Sequence, residues 1–345
     1  HLERIRPTVS YAIAQNNNHG VSEAAALYAG GAYLELQNIK EGNFYKNIGK
    51  KMLEDRASKL IGDKGGFSQY SMNYHRLMLE TCIFAEIFRL KLNLERFSEK
   101  YYSKISKAIL WLNNFVIEEN GKVPNTGAND GSHLFAFDEV EYTDFRPVIQ
   151  LGSTLFLEKL AFKDNDNKKI NVLLEIFDIR LPKNQITRDN FFISDDIGFC
   201  SSRIKDTFLL FRYPSFKFRP SQSDLLHIDF WINGENIFRD GGSNTYSDDI
   251  SFPDTNYFNG VKSHNTFEFD EKDQMPRLGR FLFGNWPNIN FINHNSTEYL
   301  NSIETSFDDY RNNKHQRQIL HKDYELKVID KSSKESSIKQ PLGGV

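Results

Sequence analysis

The sequence predicts an α+β multidomain chain, with packed helices in its first half and an antiparallel β-sandwich in its second. Three observations carry this. Apolar residues recur at helical spacing as far as about residue 180. The texture changes at Leu181-Pro182. Beyond it come short runs of β-formers separated by glycine-containing turns. A length of 345 residues suits one large domain or two medium ones. The 29 phenylalanines and 15 tyrosines can fill a sizeable core.

The elements follow in order. The chain opens without methionine, in what reads as mid-helix, and ends on Gly343-Gly344-Val345 among strand patterns, so it reads as a fragment or a processed form. Residues 21–38 carry Ala24, Ala25, Tyr28, Ala29 and Ala32, a small-residue helix face that permits close packing. Over 71–90, Leu79, Ile83, Ile87 and Leu90 fall at helical spacing, with Glu80, Glu86 and Arg89 between them. Further helical patterns run through 43–62, 97–118, 147–162 and 168–180, joined by links such as Gly121 to Gly131. Successive amphipathic helices without intervening strands argue for an all-α layer. Strands are expected at Phe208–Phe211, Leu225–Ile232, Thr266–Phe269 and Tyr324–Ile329. Asn233-Gly234 and Gly241-Gly242 supply turns, and Asn-Gly between apolar runs is a hairpin signal. The Ser/Lys-rich stretch Lys331–Lys339 is expected to be an exposed loop.

Composition excludes several classes. Lys and Arg number 43 against 46 Asp and Glu, a formal charge of −3, with no basic block to suit a nucleic acid. Such a chain binds an acidic polymer only through a locally basic cleft. No apolar run is long enough to span a membrane, and no signal peptide is visible. Two cysteines, Cys82 in a helical pattern and Cys200 in a strand-like one, read as buried free thiols rather than a disulfide framework. A P-loop, a dinucleotide glycine fingerprint, a Gly-x-Ser-x-Gly elbow and a paired-cysteine zinc motif are all absent.

Three constellations carry chemistry. Asn16-Asn17-Asn18-His19-Gly20 precedes the small-residue helix. It reads either as a capped loop or as an amide and an imidazole projecting together into a cleft. Gly65 to Arg76 opens the next long helix, with Ser71 as a cap and Tyr74 and His75 in its first turn, where a tyrosine is either core filler or catalytic. In the strand half, Asp224-Leu225-Leu226-His227-Ile228-Asp229 leads to Arg239-Asp240-Gly241-Gly242, then Tyr257, then Ser263-His264-Asn265-Thr266. Histidine and aspartate at such wide spacing are metal ligands or unrelated loop residues.

Together these strings resemble the heparinase II/III-like family of polysaccharide lyases, related to alginate lyases and dermatan sulfate epimerase. The resemblance runs from Asn17-Asn18-His19 to His315-Gln316-Arg317. It is most specific at Asn18-His19, Tyr74-His75, Asp240-Gly241-Gly242 followed by Tyr246, and His264-Asn265-Thr266. The string Asp273-Gln274-Met275-Pro276-Arg277 resembles the branch found with bacterial surface-polysaccharide genes. The resemblance implies an incomplete α/α toroid domain over 1–185 and a β-sandwich domain over 186–345. It also implies β-elimination on a uronic-acid glycan, with a uronate C5-epimerase or a non-catalytic glycan-binding or assembly protein as alternatives.

The implied chemistry explains the residue types. Removing the C5 proton of a uronate builds charge on a carboxylate that is already anionic, so donors must first neutralise it. Asn18, with His19 beside it, is the implied neutralising group. Tyr74 is the implied base and acid for groups on one ring face, and His19 the base for the opposite stereochemistry. Tyr257 and His264 join the implied catalytic set. His75, Gln69, His227, Arg277 and Arg280 are the implied substrate-binding residues, although surface salt bridging also explains the two arginines. Asp240 and His264 are the implied ligands of a structural divalent metal, zinc or calcium, that the chemistry itself does not require. The implied partner is an acidic polysaccharide, and family habit places such enzymes in the periplasm or outside the cell.

One departure stands out. Many members carry His-x-His just before the aspartate equivalent to Asp224, one histidine catalytic and the other able to bind metal. Here Pro220 and Gln222 stand in those places. His227 lies nearby, but its odd offset from Gln222 puts it on the opposite face of a regular strand, and only a bulge would bring it back.

Overall fold

The computed structural model describes residues 1–136, 140–163, 168–243, 255–279 and 281–333. The chain divides into two compact units. The first comprises His1–Ser68, Tyr74–Val116 and Ser132–Arg188; the second comprises Gln69–Asn73, Ile117–Gly131 and Asp189–Val345. Segments 69–73 and 117–131, which precede residue 185, thus cluster with the β-rich half.

The first unit is helical: α1 (Leu2–Ala14), α2 (Asn18–Leu36), α3 (Glu41–Leu60), α4 (Met72–Lys91, whose first two residues fall in the second unit), α5 (Glu99–Asn113), α6 (Arg146–Leu157) and α7 (Lys168–Ile176). Ser98 caps α5, its side chain accepting from Tyr101 N at 3.3 Å. The small face of α2 packs on α3 as its residue types require. Gly31, Gly42 and Gly49 lie where the two backbones meet: a Cβ on Gly49 would run into the backbone nitrogen of Tyr28, and one on Gly31 into that of Lys46. Backbone cannot yield as a flexible side chain can. Gly49→Ala is therefore expected to destabilise by about 2–3 kcal/mol, the upper part of the overpacking range. That exceeds the roughly 1 kcal/mol that alanine gains in helix propensity. Urea unfolding checks this, and an unchanged midpoint would contradict the packing account. Cys82 and Cys200 are free and buried, and burial pushes both thiols up, Cys82 to about 12.

The second unit is built from antiparallel sheets. One has the order β1 (Phe191–Ser194), β2 (Phe199–Ile204), β3 (Thr207–Arg212), β4 (Ile228–Ile232), β5 (Glu235–Phe238). Another has the order β11 (Glu325–Ser332), β10 (Lys314–Lys322), β9 (Asn301–Asp308), β8 (Ile289–Ser296). A two-stranded hairpin joins β6 (Arg277–Gly279) to β7 (Leu282–Phe283). A short helix α8 (Thr255–Asn259) and a 3-10 turn (Val261–Ser263) precede it. Asn233 and Gly234 both take positive φ, 51° and 78°, which suits the tight β4–β5 turn. The two larger sheets meet at His321 of β10. Its Nδ1 lies 2.6 Å from Ser202 Oγ and its Nε2 2.8 Å from Thr207 Oγ1.

Two strand expectations need correction. Thr266–Phe269 is not a strand; it has one isolated bridge, Phe269 to Lys272. Thr266 instead turns its hydroxyl to Leu225 O at 2.6 Å. Leu225–His227 is a turn rather than the start of β4, because Leu226 takes a left-handed φ of 61°. Among the described residues Gly241-Gly242 joins no two paired strands: Gly241 N donates to Ser263 O at 3.0 Å. The expected loop from Lys331 begins inside β11, and residues 334–345 lie outside the described residues.

Candidate functional site

In the helical unit, the asparagine string separates into two jobs. Asn17 is the N-cap of α2, its side chain accepting from His19 N at 3.1 Å. The cap is thus Asn17, not Asn18 or His19. Asn18 is half-buried and His19 exposed, in the first turn of a 19-residue helix whose positive end favours an anion. Ser68 Oγ donates to Asn16 O at 2.9 Å, tying this loop to the segment that leads into α4. Tyr74 lies in the first turn of α4 and is 9% exposed.

His75, the neighbour of Tyr74, does not face solvent. It is 1% exposed, stacks on Trp111 with ring centroids 4.5 Å apart, and its Nε2 lies 2.9 Å from Ala108 O. Burial lowers its pKa to about 4, so it is a neutral core imidazole. That geometry serves packing, and it corrects the expectation of a substrate contact. Gln69 is half-buried. Ser71, expected as a cap, donates its hydroxyl to Ala128 O at 2.5 Å.

In the β unit, the Leu225-Leu226 turn places His227 beside two residues distant in sequence. His227, Asp240 and His264 are fully buried, and one donor atom from each lies within 4.8 Å of the others. Asp240 Oδ2 is 3.4 Å from His264 Nδ1 and 3.9 Å from His227 Nε2. The odd-offset argument thus fails for a physical reason: residues 225–227 are a turn, and strand alternation does not apply to them. Gln222 does not enter the cluster. Its Oε1 accepts from Gly127 N at 2.9 Å and its Nε2 donates to Gly242 O at 3.2 Å.

The charges arrange themselves in pairs. Burial opposes charge on Asp240, but His264 beside it wins and holds its carboxyl below the usual range. Burial also opposes charge on His264, and Asp240 outweighs it, so His264 is raised. His227 gets less help, and burial lowers it to about 3. Arg212 Nη1 stands 2.8 Å from Asp224 Oδ2, yet burial still raises Asp224. Asp229 is raised to about 7 by burial and then by Asp240, while Trp231 Nε1, Asn236 Nδ2 and Asp240 N donate to it.

A metal ion needs a lone pair from each ligand. Asp240 Oδ2 has one to give. His264 can give Nδ1, since its Nε2 sits 3.4 Å from Ser263 Oγ, whose own proton goes to Phe258 O at 2.8 Å. His227 does not fit. Its Nδ1 accepts the backbone N–H of Asn265 at 3.0 Å, so the proton of the neutral ring sits on Nε2, the atom inside the cluster. The cluster offers a metal two protein ligands, not three.

Sequence reasoning quoted Asn265, Gln274 and Arg317 without seeing their work. Gln274 closes on the Leu225 backbone, donating to its carbonyl at 3.0 Å and accepting from its N–H at 2.9 Å. Arg317 Nη1 donates to Leu226 O at 2.5 Å and Asn265 O at 2.6 Å. The signal available was the recurrence of polar residues beside the histidines. Tyr257 lies on α8, 41% exposed, and Arg277 is half-buried on β6, its Nε donating to Gly279 O at 3.3 Å. Arg280 and Tyr246 lie outside the described residues. Among the described residues no helix is long and apolar enough to cross a membrane.

Residues 188–339 match the family described as heparinase II/III-like, C-terminal. No curated protein matches the sequence. Solved structures share the fold, among them two heparinases and a heparan sulfate lyase by name. A heparinase III gene product is 18% identical with a TM-score of 0.66, over 97% of this chain and 49% of its own. The heparan sulfate lyase HepC from Pedobacter heparinus is 18% identical with a TM-score of 0.65, over 95% of this chain and 48% of its own. A further heparinase III is 16% identical with a TM-score of 0.69, over 91% of this chain and 47% of its own. The chain spans about half the length of these proteins.

Proposed function

We propose that this chain, a member of the heparinase II/III-like family, acts as a polysaccharide lyase on a uronic-acid glycan, by β-elimination. The observation that carries the reading is the division of labour at the start of α2. Asn17 caps the helix, and Asn18 and His19 stand in its first turn, at the positive end that favours an anion. A uronate carboxylate is that anion. Asn18 donates to it and lowers the cost of removing the C5 proton. Tyr74 takes that proton and returns one to the C4 oxygen as the glycosidic bond breaks, leaving a C4–C5 double bond. His19 is the base for the opposite stereochemistry. Tyr257, His264, Gln69, His227, Arg277 and Arg280 remain candidate contributors on the strength of the resemblance alone. No cofactor is needed for this chemistry.

The finer architecture belongs to the same reading: an incomplete α/α toroid over 1–185 and an antiparallel β-sandwich over 186–345. The partner is an acidic polysaccharide rather than a nucleic acid. Heparan sulfate is the first substrate to try, because one of the structural neighbours is a heparan sulfate lyase. A periplasmic or secreted location follows from the same family habit.

One observation favours a second reading, a C5-epimerase or a glycan binder. Gln222, standing where the family has a histidine, has both amide ends engaged by Gly127 and Gly242. Incubation in deuterated water with a uronate polysaccharide separates the three. A lyase yields shortened chains with unsaturated ends, an epimerase yields C5 deuterium without shortening, and a binder yields neither.

A further inference from the structure

We infer that the cluster of His227, Asp240 and His264 is metal-free, and that hydrogen bonds of the residues around it do the cross-linking a metal would do. The family resemblance assigns a metal here, and the geometry disagrees at one atom. Asn265 N–H points at His227 Nδ1 from 3.0 Å. Turning the ring over offers no escape, because it would set a C–H against the same N–H. The Nε2 of neutral His227 therefore carries a proton and faces Asp240 Oδ2 from 3.9 Å, beyond hydrogen-bond distance. A histidine that ligates a metal does the reverse: it donates through its second nitrogen and keeps the lone pair for the ion. Gln222, which stands in place of one of the family's two histidines, is occupied at both ends of its amide.

The bracing is already present in other bonds. Three segments meet here, 226–228, 239–242 and 263–265. Arg317 Nη1 joins the first to the third through Leu226 O and Asn265 O. Asp330 fixes the same guanidinium, accepting from Nε at 2.7 Å and from Nη2 at 2.9 Å. Asn265 Nδ2 then joins the third segment to both others, through Ile228 O at 2.9 Å and Arg239 O at 3.1 Å. Gly241 N to Ser263 O closes the set at 3.0 Å. A metal would add a link where links exist, and would first have to break the one between Asn265 and His227.

This inference does not depend on the lyase reading, because its test needs no substrate. The full chain is purified without chelator, its zinc and calcium are measured by elemental analysis, and its melting is followed with EDTA, zinc or calcium added. We expect far less than one ion per chain, and a melting temperature that none of the three additions moves. About one bound ion per chain, a fall in melting temperature with EDTA, or a rise with zinc or calcium would overturn the inference. Nitrogen NMR of the imidazoles gives a second reading. A proton on Nε2 of His227 is the expected result, and a proton on Nδ1 would overturn the inference even if no ion is found.

Discussion

Tyr74→Phe is expected to lower kcat by about two to four orders of magnitude, the range general acid–base catalysis supplies. KM should change little, because the proton transfers are made in the transition state and not in binding. Stability is the necessary control. Tyr74 is 9% exposed at the start of α4, and phenylalanine keeps the ring and loses one hydroxyl. A variant that melts like the parent yet forms no unsaturated product would place the tyrosine in the chemistry. Activity within a few-fold of the parent would remove Tyr74 as the base and leave His19 as the remaining candidate. Asn18→Ala provides the contrast: its loss should raise the barrier through the carboxylate, so kcat falls although Tyr74 is still in place.

The second large effect is on stability in mild acid. Burial lowers His75 to about 4, His321 to about 4 and His227 to about 3, against an ordinary 6.5. The sign follows from proton counting. Below pH 6.5 the unfolded chain binds protons at these three rings, and the folded chain does not until its own lower values are reached. Stability is therefore full above that pH and falls as the pH drops, by roughly 1.4 kcal/mol per pH unit for each ring. His264 runs the other way. Asp240 raises it against burial, so its contribution is complete below the ordinary value and fades as the pH climbs through the raised one. Urea midpoints measured from pH 7.5 down to about pH 4.5 should fall steeply on the acid side. A flat profile would mean that these rings are not neutral in the folded chain.

How much of this was legible depended on whether inward-facing residues were apolar. The α2 face announced itself through Ala24, Ala25, Ala29 and Ala32, and the Asn233-Gly234 hairpin through its turn residues. Strand β10 was silent. Its inward residues are His315, Arg317, Ile319 and His321, so the alternation that marks a strand carries charge and imidazole where apolar side chains are expected. Thr266–Phe269 misled in the opposite sense, being rich in β-formers while its polar groups serve the Leu225 turn. At the site, the strings containing Asp240 and His264 were legible as chemistry. The arrival of His227 was not, because it depends on one left-handed residue, Leu226, and leucine gives no sequence signal for that backbone. The bonds by which Asn265 and Arg317 reach the site span 26 to 91 residues, beyond the reach of local pattern.

The central claim is elimination, and new double bonds test it most directly. The purified chain is mixed with heparan sulfate, then with other uronate polysaccharides, and ultraviolet absorbance of the C4–C5 unsaturated product is followed. The account predicts a steady rise on at least one polymer, abolished by Tyr74→Phe. A chain that exchanges C5 hydrogen with solvent on one of those polymers while absorbance stays flat would contradict it.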